Sequence, residues 1–476
     1  MARRLPTRKS PSLSRLQRHI QQIGIGGPFR DTPRDRHRRA RALEYTLGLL
    51  LPGERKSMQP SALRIPDAQY EAIQHFITDS PWDWQESQAR LIDLMAKEAS
   101  GPEGLLAIDD VPLVKQGTKS PGVHRQYCGV IGGVGNCQAL VDVVYLLPGD
   151  GLHRETLGWC FGIDLYLPKA WAEDPERCRE AGIPLPVIFR EKWRIALEEV
   201  AKARRHALPH RATVADCGYG DAQEFRAQLR AWNEPYVLEV TAKEVRVVSS
   251  RTTLLPAGVP RPGRRGRRRV GRPYLPDGVL TRSPVALAAD ARDWTNIRWG
   301  EGTKGPLQGR FTRRKVRVCR GDRVPTDEVG WLLLEETPDG PRSWICWGLE
   351  KASLEELAAI AHRRFLIERF HEEVKMELGL DHFEGRRWRG LNHHLTLVLI
   401  AHTFLVREQA RVSREGAEDR GAPQEAETPL PTLAEMRRRV VFEVAWALVS
   451  RAVYSRRKVE REGWGKAIAR YWAGAG

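Results

Sequence analysis

Short runs rich in apolar and β-branched residues, bounded by turn formers, occupy residues 104–114, 126–131, 136–147 and 161–167 and predict four strands. Gly132, Gly133, Gly135 and Asn136 supply turn chemistry between the second and third. A helical period follows over 191–206, then a strand over 212–216, a Cys217-Gly218-Tyr219-Gly220 turn, another helix, and a strand over 236–241. Strands first, then helix–strand alternation, predict an α/β fold with a mixed sheet and helices packed on it. Before this region, residues 43–99 have a helical period, with Leu91, Leu94 and Met95 on one face and Ser80, Pro81 and Asp83 as a helix start. After it, strand-like stretches at 245–249, 315–319, 330–336 and 343–347 surround an arginine-rich run over 261–273. Helical periodicity returns over 353–378 and 391–410, and a polar stretch over 411–430 leads to a C-terminal helical piece.

These changes of pattern suggest six parts. They are a mobile basic tail (1–41), a helical domain able to grip DNA (42–100), a first core segment (101–244), a β-rich insertion with an arginine loop (245–350), a second core segment (351–410), and a polar linker with a C-terminal helical segment (411–476). The 476 residues carry 77 lysines and arginines against 60 aspartates and glutamates, so the formal charge is 77 − 60 = +17. That excess points to a polyanionic partner. The longest apolar run, 395–406 with His402 inside it, falls short of the ~20 residues that span a bilayer. The basic N-terminal stretch has no apolar core of the secretory type. Seven scattered cysteines without a CxxC pair argue against a disulfide framework or zinc finger and lead us to expect a reducing cytoplasm. Gly117-Thr-Lys-Ser120 lacks the glycine spacing of a phosphate-binding loop, so no nucleotide cofactor is expected.

Three acidic positions stand at the ends or edges of predicted core elements. Asp109 and Asp110 follow the apolar run 105–108, and strand alternation sends their side chains to opposite faces. A carboxylate inside a buried strand needs a partner or a metal. Asp216 ends the short strand; Asp221, three residues before Glu224, fits a capping box, which leaves Asp216 without a structural task. Glu368 lies on the 353–378 helix, where Arg364 and Lys375 fall within about 40° of it at ~100° per residue. Glu372 and Glu373 suit ordinary surface pairing better. Should the sheet bring three such acids together, their repulsion calls for divalent cations, and Mg²⁺ suits carboxylate oxygen.

The residues also carry a resemblance. Leu106-Ala-Ile-Asp-Asp-Val-Pro-Leu-Val-Lys-Gln-Gly-Thr-Lys-Ser-Pro-Gly-Val-His-Arg-Gln-Tyr127, Asn136-Cys-Gln138, Ala215-Asp-Cys-Gly-Tyr-Gly-Asp221 and Ile367-Glu-Arg-Phe-His-Glu-Glu-Val-Lys-Met-Glu-Leu-Gly-Leu-Asp381 resemble, in order, the motifs of bacterial insertion-sequence transposases of the Asp-Asp-Glu type. Tyr45-Thr-Leu-Gly-Leu-Leu50, Glu54-Arg-Lys56 and Ser80-Pro-Trp-Asp83 are similar to that group's N-terminal region, so the resemblance covers about 41–410. It implies a ribonuclease-H-like mixed sheet flanked by helices and interrupted by a β-rich insertion. It also implies a catalytic and metal-binding triad of Asp110, Asp216 and Glu368, with Asp109 as the alternative to Asp110. The subgroup with a Tyr-Arg-Glu-Lys signature matches at Arg364, Glu368 and Lys375 and departs at Ala361, where tyrosine is usual.

The activity implied is metal-dependent cleavage at element ends and transfer of the 3′-hydroxyls into target DNA. Two Mg²⁺ ions, or Mn²⁺, would serve it, and a homodimer on double-stranded DNA is expected. A DNA-binding relative without catalysis and a structure-selective nuclease of the same fold are the alternatives. Among the cations, Lys115, Lys119 and Arg125 follow the first acid closely; Arg264, Arg265, Arg267, Arg268, Arg269 and Arg272 form the arginine loop; Arg364, Lys375, Arg386, Arg387 and Arg389 cluster around the glutamate helix. All are candidate DNA contacts.

Overall fold

The structure, a computed structural model, describes residues 10–25, 32–65, 68–99, 101–147, 158–257, 273–302, 305–321, 324–418 and 431–454. The arginine-loop residues Arg264, Arg265, Arg267, Arg268, Arg269 and Arg272 lie outside them.

Five helices come first: α1 (Pro11–Ile23), α2 (Pro33–Leu50), α3 (Met58–Leu63), α4 (Tyr70–Thr78) and α5 (Trp84–Glu98). Where the charge run suggested a mobile tail, α1 is capped by the Ser10 side chain and buries Leu13, Leu16, Ile20 and Ile23. Its apolar stripe was hidden among arginines and polar residues. Arg34, Arg36, Arg38, Arg39 and Arg41 fall on α2, not on a tail. Helix α5 also starts differently from expectation. Asp83 accepts from the Gln85 and Glu86 amides at 2.8 and 3.0 Å, so it is the cap, and Ser80 is buried ahead of it.

The chain then forms β1 (Leu105–Val114), β2 (His124–Cys128), β3 (Gly133–Leu146) and β4 (Gly158–Tyr166), followed by α6 (Lys169–Ala172), α7 (Pro175–Glu180), α8 (Lys192–Arg205), β5 (Ala212–Ala215), α9 (Cys217–Gly220), α10 (Gln223–Ala231) and β6 (Tyr236–Glu239). Strand β3 pairs antiparallel with β1 along one edge and with β2 and then β4 along the other. Strand β1 pairs parallel with β5, and β5 parallel with β6. The β-rich stretch supplies β7 (Arg246–Ser249), α11 (Pro284–Asp290), β8 (Thr295–Gly302), β9 (Gly305–Arg320), β10 (Val324–Glu336) and β11 (Arg342–Trp347). Its strands do not make a sheet of their own: β11 pairs with β6, so the core sheet continues through β11, β10 and β9. Strand β8 gave no sequence signal, because polar residues dominate it and its pairing slips between Arg298 and Gly300.

The expected helix over 353–378 is two helices, α12 (Leu354–Arg363) and α13 (Leu366–Leu378), with Arg364 and Phe365 at the break. Helix α14 (Trp388–Glu418) runs on through part of the stretch expected to be linker, and α15 (Leu433–Tyr454) follows. The middle of α14 is buried on all sides, from Leu391 to Val406, against β4, α2, α4, α5 and α15. No described helix is long and apolar enough to cross a membrane. One apolar cluster extends from Leu13 to Val444, so the core is continuous across the boundaries read from the sequence. Buried Lys56 reinforces that continuity. Its ammonium donates to the carbonyls of Leu49, Leu51 and Glu377, and so satisfies the C-terminal ends of α2 and α13 together.

His19 ties α1 to α14. Its Nε2–H donates to the Ile400 carbonyl at 3.1 Å, and its Nδ1 accepts from Arg407 at 3.0 Å, which requires the neutral ring. Burial, helped by the Arg407 charge, pulls its pKa down to about 3. An unfolded chain would take up a proton there near pH 6.5, while the folded chain would not. Stability conferred by this site is therefore present above about pH 6.5 and is lost as pH falls below it, by up to about 1.4 kcal/mol per pH unit. His19→Gln removes the titration, so the stability gap between wild type and variant should shift against wild type by that slope between about pH 6 and pH 4. A gap independent of pH in parallel urea titrations would refute the assignment.

Candidate active site

Parallel pairing of β1 with β5 sets Ile108 beside Ala215, so the next residue on each strand brings Asp109 alongside Asp216 on neighbouring strands. Adjacent strands lie about 4.8 Å apart, so these acids share one end of the sheet. Asp216 caps the short α9, its Oδ1 accepting from the Gly218 amide at 3.0 Å. Asp221 does not cap α10. Its carboxylate accepts from the Thr241 amide and hydroxyl, both at 2.8 Å, and secures the end of β6. The structural task assigned to Asp221 thus exists but is a different one, and Asp216 has a task too.

Alternation along β1 sends its two acids to opposite faces. Asp109 faces α13 and accepts from Arg364 Nη1 at 2.8 Å. Asp110 faces α8 and accepts from Lys192 Nζ at 2.7 Å. Arg364 also reaches Glu368 through Nη2 at 3.1 Å, so one guanidinium links the β1 acid to the glutamate helix. The Glu368 side chain is 62% exposed, which makes that second contact weak. Burial, opposed by Arg364 and reinforced by Asp216, pushes Asp109 up to about 7. Asp216 is raised too, by burial first, with Arg364 opposing and Asp110 adding to the shift.

Two further groups complete the surroundings, and sequence reasoning did not single them out. Tyr219, on α9, is buried with a hydroxyl that has no hydrogen-bond partner. Burial, and then the negative charges of Asp110, Asp109, Asp216 and Asp142, hold that hydroxyl well above its ordinary pKa. Behind Asp109, its β3 partner Asp142 is fully buried and accepts from His371 Nε2 at 2.9 Å. Burial works against the charge on His371, but the Asp142 carboxylate overrides it and raises the pKa. The pair pins α13 to the sheet one turn beyond Glu368. The signal was available: Asp142 is an acid inside an otherwise apolar strand, the same pattern that drew attention to Asp109 and Asp110.

The donor chemistry suits a hard cation. Carboxylates dominate among the described residues, and an orphaned hydroxyl stands within their field, where a cation-bound water could satisfy it. Yet among the described residues no three side chains of His, Cys, Asp or Glu stand close enough together to hold a metal ion. Lys192 and Arg364 balance the negative charge in this arrangement.

The candidate DNA contacts separate into two groups. Lys115 is half-buried, and its ammonium donates to the carbonyls of Asp381 and Phe383 at 3.3 and 2.7 Å, so it anchors the loop after α13. Lys375 is also half-buried, and burial lowers its pKa despite nearby Asp381. Lys119 is exposed beside Glu180, and Arg125 is exposed on β2. Arg386, Arg387 and Arg389 are exposed ahead of and at the start of α14, the last two reaching the Glu180 and Asp79 carbonyls at 3.4 and 3.0 Å. The following His393 and His394 are fully buried.

A family model described as DDE superfamily endonuclease matches residues 28–306. Asp109, Asp110 and Asp216 fall inside that match and Glu368 beyond it. A curated protein from Microchaete diplosiphon, "Probable transposase for insertion sequence element IS701", is 23% identical over 195 residues, which are 41% of this chain and 47% of that protein. The chain thus spans about half the length of this curated relative.

Proposed function

We propose, from the premise that the chain belongs to the DDE superfamily endonucleases, that it is a transposase that cuts DNA at the ends of its element and joins the freed 3′-hydroxyls to target DNA. The observation that carries this proposal is the convergence of Asp109, Asp110 and Asp216 at one end of the sheet, with Arg364 linking that end to Glu368. A central strand flanked by an antiparallel meander on one side and two parallel strands on the other supports the ribonuclease-H-like description of the core. The IS701 relative's name supports the transposase description.

Asp110, Asp216 and Glu368 are the residues that would hold divalent cations, with Asp109 taking the place of Asp110 if the site is built on the α13 side of β1, where Arg364 joins Asp109 to Glu368. When bound, a pair of Mg²⁺ ions supplies activation of the attacking oxygen and stabilisation of the leaving one. The chain's own groups do the rest. Arg364 forks toward phosphate oxygens as a planar double donor, and Lys375 acts as a point charge about two turns beyond Glu368 on the same face of α13. Lys192 leaves Asp110 for the phosphate that approaches it. His371 and Asp142 keep α13 in register with β1, so Glu368 is presented at a constant height. Water attacks the scissile phosphorus and the 3′-oxygen leaves with a proton; the resulting hydroxyl then attacks a target phosphorus and displaces the target's own 3′-oxygen. Exposed Lys119, Arg125, Arg386, Arg387 and Arg389 steer the duplex. Two copies, one on each element end, complete the assembly.

The test is nicking of a plasmid that carries the DNA flanking the gene, with and without Mg²⁺. Cleavage confined to the terminal sequence, followed by joining, supports the proposal. Binding without cutting would identify a catalytically inactive relative, and cutting that follows junction shape rather than sequence would identify a structure-selective nuclease.

A further inference from the structure

Strands β2 and β3 form a hairpin whose turn, Gly129–Ile131, lies beside β1, the strand that carries the acids. Gly132 closes that turn at φ 61°, a left-handed conformation that suits glycine. The base of the hairpin is secured: the Trp171 indole N–H donates to the Val123 carbonyl at 2.8 Å within a small separate core. The tip is bare. Tyr127 is 72% exposed, Val130 62%, Ile131 50% and Val134 56%. Single exposed apolar residues are ordinary, but four in one short hairpin mark an interaction surface.

Charge identifies what that surface meets. From Val111 to Val141 the chain carries no aspartate or glutamate, while Lys119, His124 and Arg125 are exposed on it. Register identifies where it faces. Tyr127 pairs opposite Val134 and Arg125 opposite Asn136, so these four share one face of the ribbon. Alternation along β3 carries the same face to Asp142, hence to Asp109 and the α13 side. An apolar tip within a cationic, acid-free segment, on the face of the sheet that carries Asp109 and α13, matches a duplex whose phosphates flank an opened base step.

We infer that the β2–β3 hairpin is a wedge that enters the DNA base stack beside the site of cutting, with Tyr127 stacking on a displaced base, Val130, Ile131 and Val134 filling the opened step, and Arg125 holding the adjacent phosphate. The inference rests on the proposed DNA substrate. A wedge of this kind frees the scissile phosphate from a stacked duplex so that it can reach recessed carboxylates.

The probe is a duplex of the gene's flanking DNA carrying 2-aminopurine at successive positions, with a matched and a mismatched version, bound by the full chain without divalent metal. Wild type should raise the fluorescence of one or two adjacent positions several-fold and prefer the mismatched duplex by about tenfold, the unstacking having been done beforehand. Tyr127→Ala and Ile131→Ser, both at exposed positions, should bind the matched duplex within about threefold of wild type, as phosphate contacts dominate affinity. Both should lose the fluorescence rise and the mismatch preference. If wild type binds but no position brightens, or the variants keep the signal, the wedge is wrong and the DNA substrate stands. If wild type does not bind at all, the substrate proposal itself fails and the wedge with it. If the variants instead turn a dimer into a monomer in light scattering and leave the fluorescence unchanged, the patch is a contact between copies and the wedge is again refuted.

Discussion

Asp216→Asn should leave the protein folded and lower Mg²⁺-dependent nicking by roughly 10³-fold or more, since a cation's stabilisation of the transition state is worth several kcal/mol. The fold survives because asparagine caps a helix as well as aspartate does, and the contact to the Gly218 amide asks only for a side-chain carbonyl. What disappears is the negative charge next to Asp109 and Asp110. The β1 pair gives the sharper comparison. Asp110 is bound by a single lysine at the start of α8, which an incoming phosphate can draw away. Asp109 is bound to Arg364, which also reaches Glu368, and is pushed up to about 7 by burial, so it is held in a firmer contact. Asp110→Asn should therefore match the loss at Asp216. Asp109→Asn, which only frees Arg364, should lose about 10- to 100-fold, the scale of an outer-shell partner. Rates from single-turnover nicking decide between them. An inactive Asp109→Asn beside an active Asp110→Asn would exchange their roles, and an active Asp216→Asn would end the proposed chemistry.

The second large effect concerns stability. Glu328→Ala should cost about 3–5 kcal/mol, because it leaves buried guanidinium charge uncompensated. Glu328 is fully buried on β10, within the irregularity between Pro325 and Val329. It accepts from Arg226 Nε at 2.9 Å and from the Tyr236 hydroxyl at 2.6 Å, and Arg230 stands 3.1 Å away. Arg226 belongs to α10 and Tyr236 to β6, so this carboxylate ties the β-rich stretch to the catalytic sheet. Equilibrium unfolding in urea measures the loss. A change under about 1 kcal/mol would mean the arginines find water or another anion once Glu328 is gone.

These two sites show what could be seen beforehand and what could not. The strands β1 and β3, the helix α8 and the acids at 109, 110, 216 and 368 were visible because each depends on neighbours within a few residues: apolar runs, turn formers, a charged row at helical spacing. Helix α1 was missed because four apolar positions were outweighed by the basic residues around them. Its burial depends on α14 and α15, nearly four hundred residues away. The exchange of duties between Asp216 and Asp221 was missed for a similar reason. Both sit where a cap is plausible, and only the arrival of Thr241 at the end of β6 decides which oxygen is used.

The order of residues by itself determined which segments could be strand or helix, the cationic balance, and the positions where a carboxylate in apolar surroundings had to find a partner. The folded chain alone decided which partners those were. It set Lys192 against Asp110, Arg364 between Asp109 and Glu368, and Glu328 against arginines about a hundred residues away. It also joined β11 to β6 and so made one sheet of two stretches that had looked separate. The physical reason is range: backbone preference and side-chain period act over a few residues, whereas desolvated charges and strand edges are satisfied by whatever the fold brings alongside them.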